Sequence, residues 1–178
     1  MDGRGPAARE RAAPTGWRVG QGFDAHRFSD DPARILRLAL LEWPGERALA
    51  GHSDGDVAAH ALVDALASAA GLGDIGALFG TARPEFADAP SALFLERVAR
   101  EVRARGFEIE HAAVQIIGER PRIGTRRGEA EVGIGHVLGT TVTVSATSTD
   151  GMGFTGRGEG LAALATCLLR PAASSLGA

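Results

Sequence analysis

The stretch from His52 to Gly71, HSDGDVAAHALVDALASAAG, decides how this chain is read. Val57, Ala61, Ala65 and Ser68 or Ala69 recur at helical spacing and Gly71 stops the pattern, which predicts a helix over Val57 to Ala70. The many alanines favour helix formation and let the helix lie close against a sheet or another helix. A second series, Asp56, His60 and Asp64, recurs every four residues and puts three polar side chains on one side of it. That stripe either faces water or belongs to a site.

Upstream, Arg18 to Phe23 (RVGQGF) reads as a short strand packed closely at its glycines, and Ile35 to Leu41 is a second apolar candidate. Downstream, Ser91 is placed to cap a helix over Ala92 to Arg105 that ends at Gly106. Phe107 to Ile117 alternates and then turns continuously apolar, as a strand with one heavily buried end does, and Pro121 breaks it. A third helix is expected over Arg127 to Leu138, although Gly128, Gly133 and Gly135 weaken it. Thr140 to Thr149 (TTVTVSATST) is rich in β-branched residues and reads as a strand ending at Asp150 and Gly151. The glycine-rich turn Gly151 to Gly160 is expected to feed a last helix running through Leu169, and Pro171 ends the fold. The class is α/β, an α+β sandwich with a single mixed sheet packed with helices. One domain over residues 18–170 is expected, with a disordered start over 1–17 and a flexible tail over 171–178.

A chain of 178 residues buries enough surface for one core without disulfides. The 44% apolar content and formal charge of -3 suit a soluble protein with no strong pull toward nucleic acid or anionic membrane. Tyrosine is absent and basic residues are not clustered, so no nucleic-acid surface is expected. Charged residues interrupt every apolar stretch before membrane-spanning length. The single cysteine, Cys167, excludes an internal disulfide and fits a reducing, cytoplasmic setting; inside Leu161 to Leu169 it reads as buried and inert.

Asp24 and His26 are one residue apart, so an extended backbone directs both side chains to one face. Three of the five histidines, His26, His52 and His60, fall with Asp24, Asp30, Asp54, Asp56, Asp64 and Asp74 within about fifty residues. If the strand end carrying Asp24 and His26 docks beside the helix carrying His60, a two-histidine, one-carboxylate set results, suited to zinc or a similar cation with a position left for substrate. Asp64 is placed to orient a ligand histidine from behind. His52 and Ser53 sit at the helix entrance, where free N–H groups favour an anion; His52 reads equally as an acid or base and as a loop histidine bonded to backbone.

Asp150 to Gly160 (DGMGFTGRGEG) combines exposed amides, the guanidinium of Arg157 and the early helical Glu159. It matches neither a dinucleotide fingerprint nor a Walker A loop, and the chain contains no lysine. A tight connection and an anion site are both open readings. Arg120 and Arg122 in Gly118 to Arg122 (GERPR) are candidate phosphate contacts or solvated loop charges. Thr147, Ser148, Thr149 and Asp150 offer hydroxyls and one hard oxygen ligand for magnesium.

Five segments, RVGQGFDAHRF (18–28), HSDGDVAAHALVD (52–64), GLGDIGALF (71–79), ATSTD (146–150) and GFTGRGEG (153–160), occur in an order that closely resembles the 2-C-methyl-D-erythritol 2,4-cyclodiphosphate synthase family. The resemblance runs from Arg18 to Leu169. It implies a homotrimer whose sheets face the threefold axis, with active sites between neighbouring subunits. It also implies a phosphorus–oxygen lyase of non-mevalonate isoprenoid biosynthesis acting on a cytidine diphosphate-linked substrate and releasing CMP. Only a short segment precedes Arg18, so the cyclase activity alone is expected, without a fused cytidylyltransferase.

Carried over by position, Asp24, His26 and His60 match ligands of Zn2+ or a similar divalent cation. His52, Ser53 and Asp54, with Thr147, Ser148 and Asp150, are the residues expected at the chemistry. Asp74, Ile75 and Gly76 match the loop receiving the methylerythritol portion. Gly118, Arg122, Ile123, Ala146, Thr147 and Ser148 match the neighbouring subunit's cytidine and phosphate pocket, and Asp150 the carboxylate helping to hold Mg2+ or Mn2+ on the substrate diphosphate. Phe23, Phe154, Arg157 and Glu159 match residues near the trimer axis, where the family can enclose an anionic or isoprenoid-like ligand. Asp150 stands where glutamate is frequent and Arg122 where lysine is frequent; Gly80, Ser145 and Ala113 replace proline, lysine and aspartate.

Overall fold

A computed structural model describes residues 14–51, 53–80 and 89–173. Its frame is a four-stranded mixed sheet in the order β1-β6-β4-β5, where β1 is Arg18–Arg27, β4 Phe107–Ile117, β5 Val142–Thr147 and β6 Gly160–Pro171. β6 runs antiparallel to both its neighbours, and β4 and β5 are parallel. A small hairpin, β2 (Leu36–Leu38) and β3 (Leu41–Trp43), stands apart. The longer helices are α1 (Val57–Ala70), α3 (Ser91–Ala104) and α4 (Arg127–Leu138); α2 (Ile75–Phe79) and α5 (Gly153–Gly156) are short.

The expected α1 is present at its predicted length, and its C-terminus is the αL cap of Gly71, whose φ is 67°. It packs directly on β1, because Gly20 and Gly22 carry no side chain where it crosses. A Cβ on either would meet a backbone carbonyl of α1, Ala65 O or Ala61 O, at 2.0 Å. Residues 20, 22, 24 and 26 share one face of β1, so the glycines that admit the helix also set the height at which Asp24 and His26 meet it. Leu161, Ala163, Ala165, Cys167 and Leu169 of β6 and Ala112, Val114 and Ile116 of β4 complete the buried face. The opposite face is bare, exposing Val19 (67%), Phe23 (57%) and Leu164 (42%).

The last predicted element is corrected. Gly160–Pro171 is not a helix but the long strand β6, paired on both edges. Its alanines and leucines prefer a helix when isolated, but pairing with β1 on one side and β4 on the other overrides that preference. The run lacks clean alternation because it lies in the sheet centre under α1. The second apolar candidate, Ile35 to Leu41, is a strand, a turn and the start of another strand. Ser91 is not the cap of α3: Pro90 holds that position and Ser91 is the first helical residue. α4 and β4 have their predicted bounds.

The β2–β3 turn places two non-glycine residues, Ala39 (φ 54°) and Leu40 (φ 62°), in the left-handed region. Asp56 supports it. The Asp56 carboxylate, fully buried, accepts the Ala39 and Leu40 amides at 2.9 and 2.7 Å and caps α1 by accepting from Ala58 and Ala59 at 3.1 Å. Burial pushes its pKa up while the amides pull it down. The polar stripe on α1 therefore does not face water as a unit; its first member is an internal tie. No helix among the described residues is long and apolar enough to cross a membrane. The predicted terminal tails fall mainly on residues 1–13 and 174–178, outside the described residues.

Candidate metal centre and the strand-end cluster

The end of β1 and the first turn of α1 bring Asp24, His26 and His60 together, as their spacing predicts. Asp24 Oδ2 lies 3.0 Å from His26 Nε2 and 2.9 Å from His60 Nδ1, and the two ring nitrogens are 3.3 Å apart. Four ligands on zinc at about 2.0 Å define a tetrahedron with edges of about 3.3 Å, close to these separations. The set is neither flush with the surface nor sealed: Asp24 and His26 are half-buried and His60 is buried. Burial pushes the Asp24 carboxyl up, but the hydrogen bonds and charges of His26 and His60 outweigh it and hold the group below the usual carboxylate range. Burial likewise depresses His26, but the bond to Asp24 and its charge raise the imidazole above its ordinary value. A carboxylate and two imidazoles converging on one point suit a borderline divalent cation.

The far side of His60 is also built. Its Nε2 lies 3.1 Å from Ser53 Oγ and 3.2 Å from Ser91 Oγ. Ser91 in turn donates its hydroxyl to Asp54, which also accepts the Ser91 amide at 2.7 Å and the Asp56 amide at 3.2 Å. Arg34 donates to the Ser53 carbonyl. Ser91 and Arg34 are not marked by the sequence as site residues: a serine near a helix start reads as a cap, and its contact with His60 spans 31 residues. Asp54, expected at the chemistry, has its carboxylate turned onto Ser91. His52 lies outside the described residues.

Among the described residues Asp64 makes no hydrogen bond to a ligand histidine; it accepts the Ile75 amide at 2.7 Å. This ties α2 to α1. Asp74 caps α2 by accepting from Ala77 at 2.7 Å, so Asp74, Ile75 and Gly76 form a fixed corner rather than an open loop. Burial raises the Asp64 pKa, with the charges of Asp24 and Asp74 adding to the effect.

A second group gathers where the parallel strands β4 and β5 end. Ala146 and Thr147 pair with Ile116 and Ile117, and the Gly118 amide donates to Thr147 O at 3.0 Å. Ser148 Oγ donates to Asp150 Oδ1 at 3.3 Å, and Asp150 adopts φ 51°. After the cis Arg120–Pro121 bond, Arg122 is exposed and Ile123 is buried in a single 3-10 turn. Arg120, the other phosphate candidate, forms a forked pair with Glu46 at 2.7 and 3.1 Å. Phe154 and Arg157 are exposed on and beside α5, with Arg157 paired to Glu159 at 2.6 Å.

The register fixes the relation of the two groups. Asp24 pairs with Ala163, Ala163 with Ile116, and Ile116 with Ala146, so both groups stand at one level on opposite edges of the sheet. Three inter-strand spacings separate them, about 14 Å. Within one chain they do not form a single pocket.

This fold and donor set define an α+β protein with a candidate divalent-metal centre at one sheet edge and a hydroxyl-rich strand end at the other. Residues 17–170 match the YgbB family model, and the chain belongs to that family. It is 54% identical over 155 residues to a 2-C-methyl-D-erythritol 2,4-cyclodiphosphate synthase from Acidothermus cellulolyticus, covering 87% of this chain and 95% of that protein. Among solved structures, the bifunctional IspDF of Campylobacter jejuni superposes with a TM-score of 0.83 at 36% identity, over 89% of this chain and 44% of that one. A CDP complex of IspF from Plasmodium falciparum gives a TM-score of 0.77 at 28% identity, over 88% and 97%.

Proposed function

We propose that this chain is a 2-C-methyl-D-erythritol 2,4-cyclodiphosphate synthase, converting 4-diphosphocytidyl-2-C-methyl-D-erythritol 2-phosphate into the 2,4-cyclodiphosphate and CMP. The observation that carries the reading is the convergence of Asp24, His26 and His60 in a chain of this family. In the reaction an oxygen of the 2-phosphate bonds to the β phosphorus as the bond from that phosphorus to the bridging oxygen breaks. The electron pair leaves with CMP, and water is not a reactant.

The residues' work is to hold two anions in line, since aligned groups react as if at very high concentration. Ser53 serves the phosphates at the metal centre, a role that His52 shares by its match to the family, and Asp74, Ile75 and Gly76 receive the methylerythritol portion. Gly118, Arg122, Ile123 and Ala146 hold the cytidine side, with Thr147 and Ser148 donating to phosphate. Zn2+ or a similar cation on Asp24, His26 and His60, and Mg2+ or Mn2+ with Asp150, supply charge neutralisation at phosphate oxygens. Asp150 is one methylene shorter than glutamate, so its left-handed backbone sets how far its oxygen reaches.

The two half-sites face each other only if a second copy docks, which supports a homotrimer with active sites between subunits. The bare sheet face with Val19, Phe23 and Leu164 is the surface such a copy would cover. In that assembly Phe23, Phe154, Arg157 and Glu159 stand near the axis. The test is incubation with the cytidine diphosphate substrate and Mg2+, followed by mass identification of products in 18O water. Cyclic diphosphate and CMP without solvent oxygen are expected; a linear phosphate carrying 18O would instead make the chain a phosphohydrolase.

A further inference from the structure

The Ser91 hydroxyl has one proton and two polar neighbours, Asp54 and His60. Ser91 is fully buried, and its Oγ lies in a short contact with Asp54 Oδ1. An ionised carboxylate only accepts, so the hydroxyl proton points at Asp54. What remains of Oγ toward His60 is lone pairs. The nitrogen facing it, His60 Nε2 at 3.2 Å, bonds to that oxygen by carrying a proton of its own. With Nε2 donating to Ser91, Nδ1 is the nitrogen left for the cation: it lies 2.9 Å from Asp24 Oδ2 and 3.3 Å from His26 Nε2, and a bound cation takes the place of any proton it shares with Asp24.

We infer that Ser91 and Asp54 are a positioning pair that fixes His60 in its Nε2–H tautomer and so prepares Nδ1 to bind the cation. The inference rests on the metal centre proposed above. Asp54 acts at two removes from the cation, through Ser91 and then His60, which gives it a role away from the reacting phosphates. Its grip on Ser91 is double, through the amide at 2.7 Å as well as the hydroxyl, so the hydroxyl is aimed from a fixed backbone. Ser53 Oγ, also near Nε2 at 3.1 Å, can share the proton, but among the described residues no carboxylate holds its hydroxyl. The arrangement also explains why an uncharged serine is buried at the first turn of α3 without capping it.

The two nitrogens of His60 can be read directly. In full-length metal-free protein, long-range 15N–1H correlation spectra should show the His60 proton on Nε2 in the wild type. An Nε2 that carries no proton there overturns the inference without any variant. Ser91→Ala should release the ring to populate Nδ1–H and weaken Zn2+ binding, measured by chelator competition, about 10- to 100-fold. Ser91→Thr, which keeps the hydroxyl, should restore affinity to within about 5-fold, and Asp54→Asn should weaken it by a smaller factor than Ser91→Ala. If Ser91→Ala proves unfolded by circular dichroism, the wild-type spectrum and Asp54→Asn decide. Unchanged tautomer and affinity in Ser91→Ala, or in Asp54→Asn when it must stand alone, would overturn the pair. A wild type that shows Nε2–H yet binds no Zn2+ would remove the metal reading while leaving the tautomer assignment standing.

Discussion

Replacing Gly22 with alanine tests the link between packing and chemistry. The added Cβ would lie 2.0 Å from Ala61 O, 2.6 Å from Ala65 N and 2.8 Å from the Asp64 Cβ, and ordinary contact begins near 3.4 Å. The first two obstacles are backbone, so no side chain can rotate away. α1 and β1 must part by about 1.4 Å at this point, less only where the strand bends. Overpacking of this kind costs about 1–3 kcal/mol, and backbone opposition puts it at the upper end. For a chain of this size that is a fall of roughly 6–12 °C in Tm. The separation acts one residue from His60, while Asp24 and His26 remain on β1. A metal site tolerates about 0.2 Å in its ligand distances, so Gly22→Ala should also lose most bound Zn2+. Gly20→Ala meets Ala65 O at the same 2.0 Å. That contact is about 7.5 Å along the helix from His60, so it should cost similar stability and less metal. The assays are thermal unfolding by circular dichroism and metal content by mass spectrometry on protein reloaded with Zn2+. Full metal content with a Tm within about 2 °C of wild type would refute the argument.

Burial pushes the Cys167 thiol up to about 11 from its ordinary 9.0. The unfolded thiol thus loses its proton first as pH rises, so this group's stabilising contribution is whole below pH 9 and falls away as pH climbs toward 11. Cys167→Ala should flatten that decline in urea titrations, and a wild-type thiol labelled by disulfide reagent at pH 8 without unfolding would contradict its burial. Mixing His60→Ala with Asp150→Ala chains after co-dissociation should regain at most roughly a quarter of wild-type sites, because each mixed ring of three has one interface with both faces intact. Mass-verified mixed trimers as inactive as either parent would refute the shared site, provided wild-type chains survive the same treatment.

What could be read in the sequence had local causes. The α1 pattern, its glycine stop and the Asp24–His26 spacing are set by neighbours within four residues, and each is found where the periodicity puts it. Gly20 and Gly22 read as close packing for the same reason. β6 reads as a helix in the sequence because its composition favours one, while its state depends on strands more than 40 residues away. The second layer of the site was hidden in the same way. Ser91 to His60 and Asp56 to Ala39 are contacts across 31 and 17 residues, and nothing local distinguishes them from a cap and an exposed aspartate.

The sheet itself joins these layers into one device. Its helix-side face is filled by small residues of β1 and β6, which bring α1 near enough for a histidine of the helix to meet an aspartate and a histidine of the strand. The row from Asp24 through Ala163 and Ile116 to Ala146 then holds the second group at the same level, about 14 Å away across the strands. A substrate carrying a phosphate on its sugar alcohol and a diphosphate to a nucleoside needs separate grips on its two ends. A single chain presents those grips on opposite edges of the sheet. A cyclic arrangement resolves this without moving either, since it sets one edge of each subunit against the other edge of the next. In the proposed ring the exposed Val19, Phe23 and Leu164 would be the inner contacts, while Gly20 and Gly22 on the other face seat α1 at the metal centre.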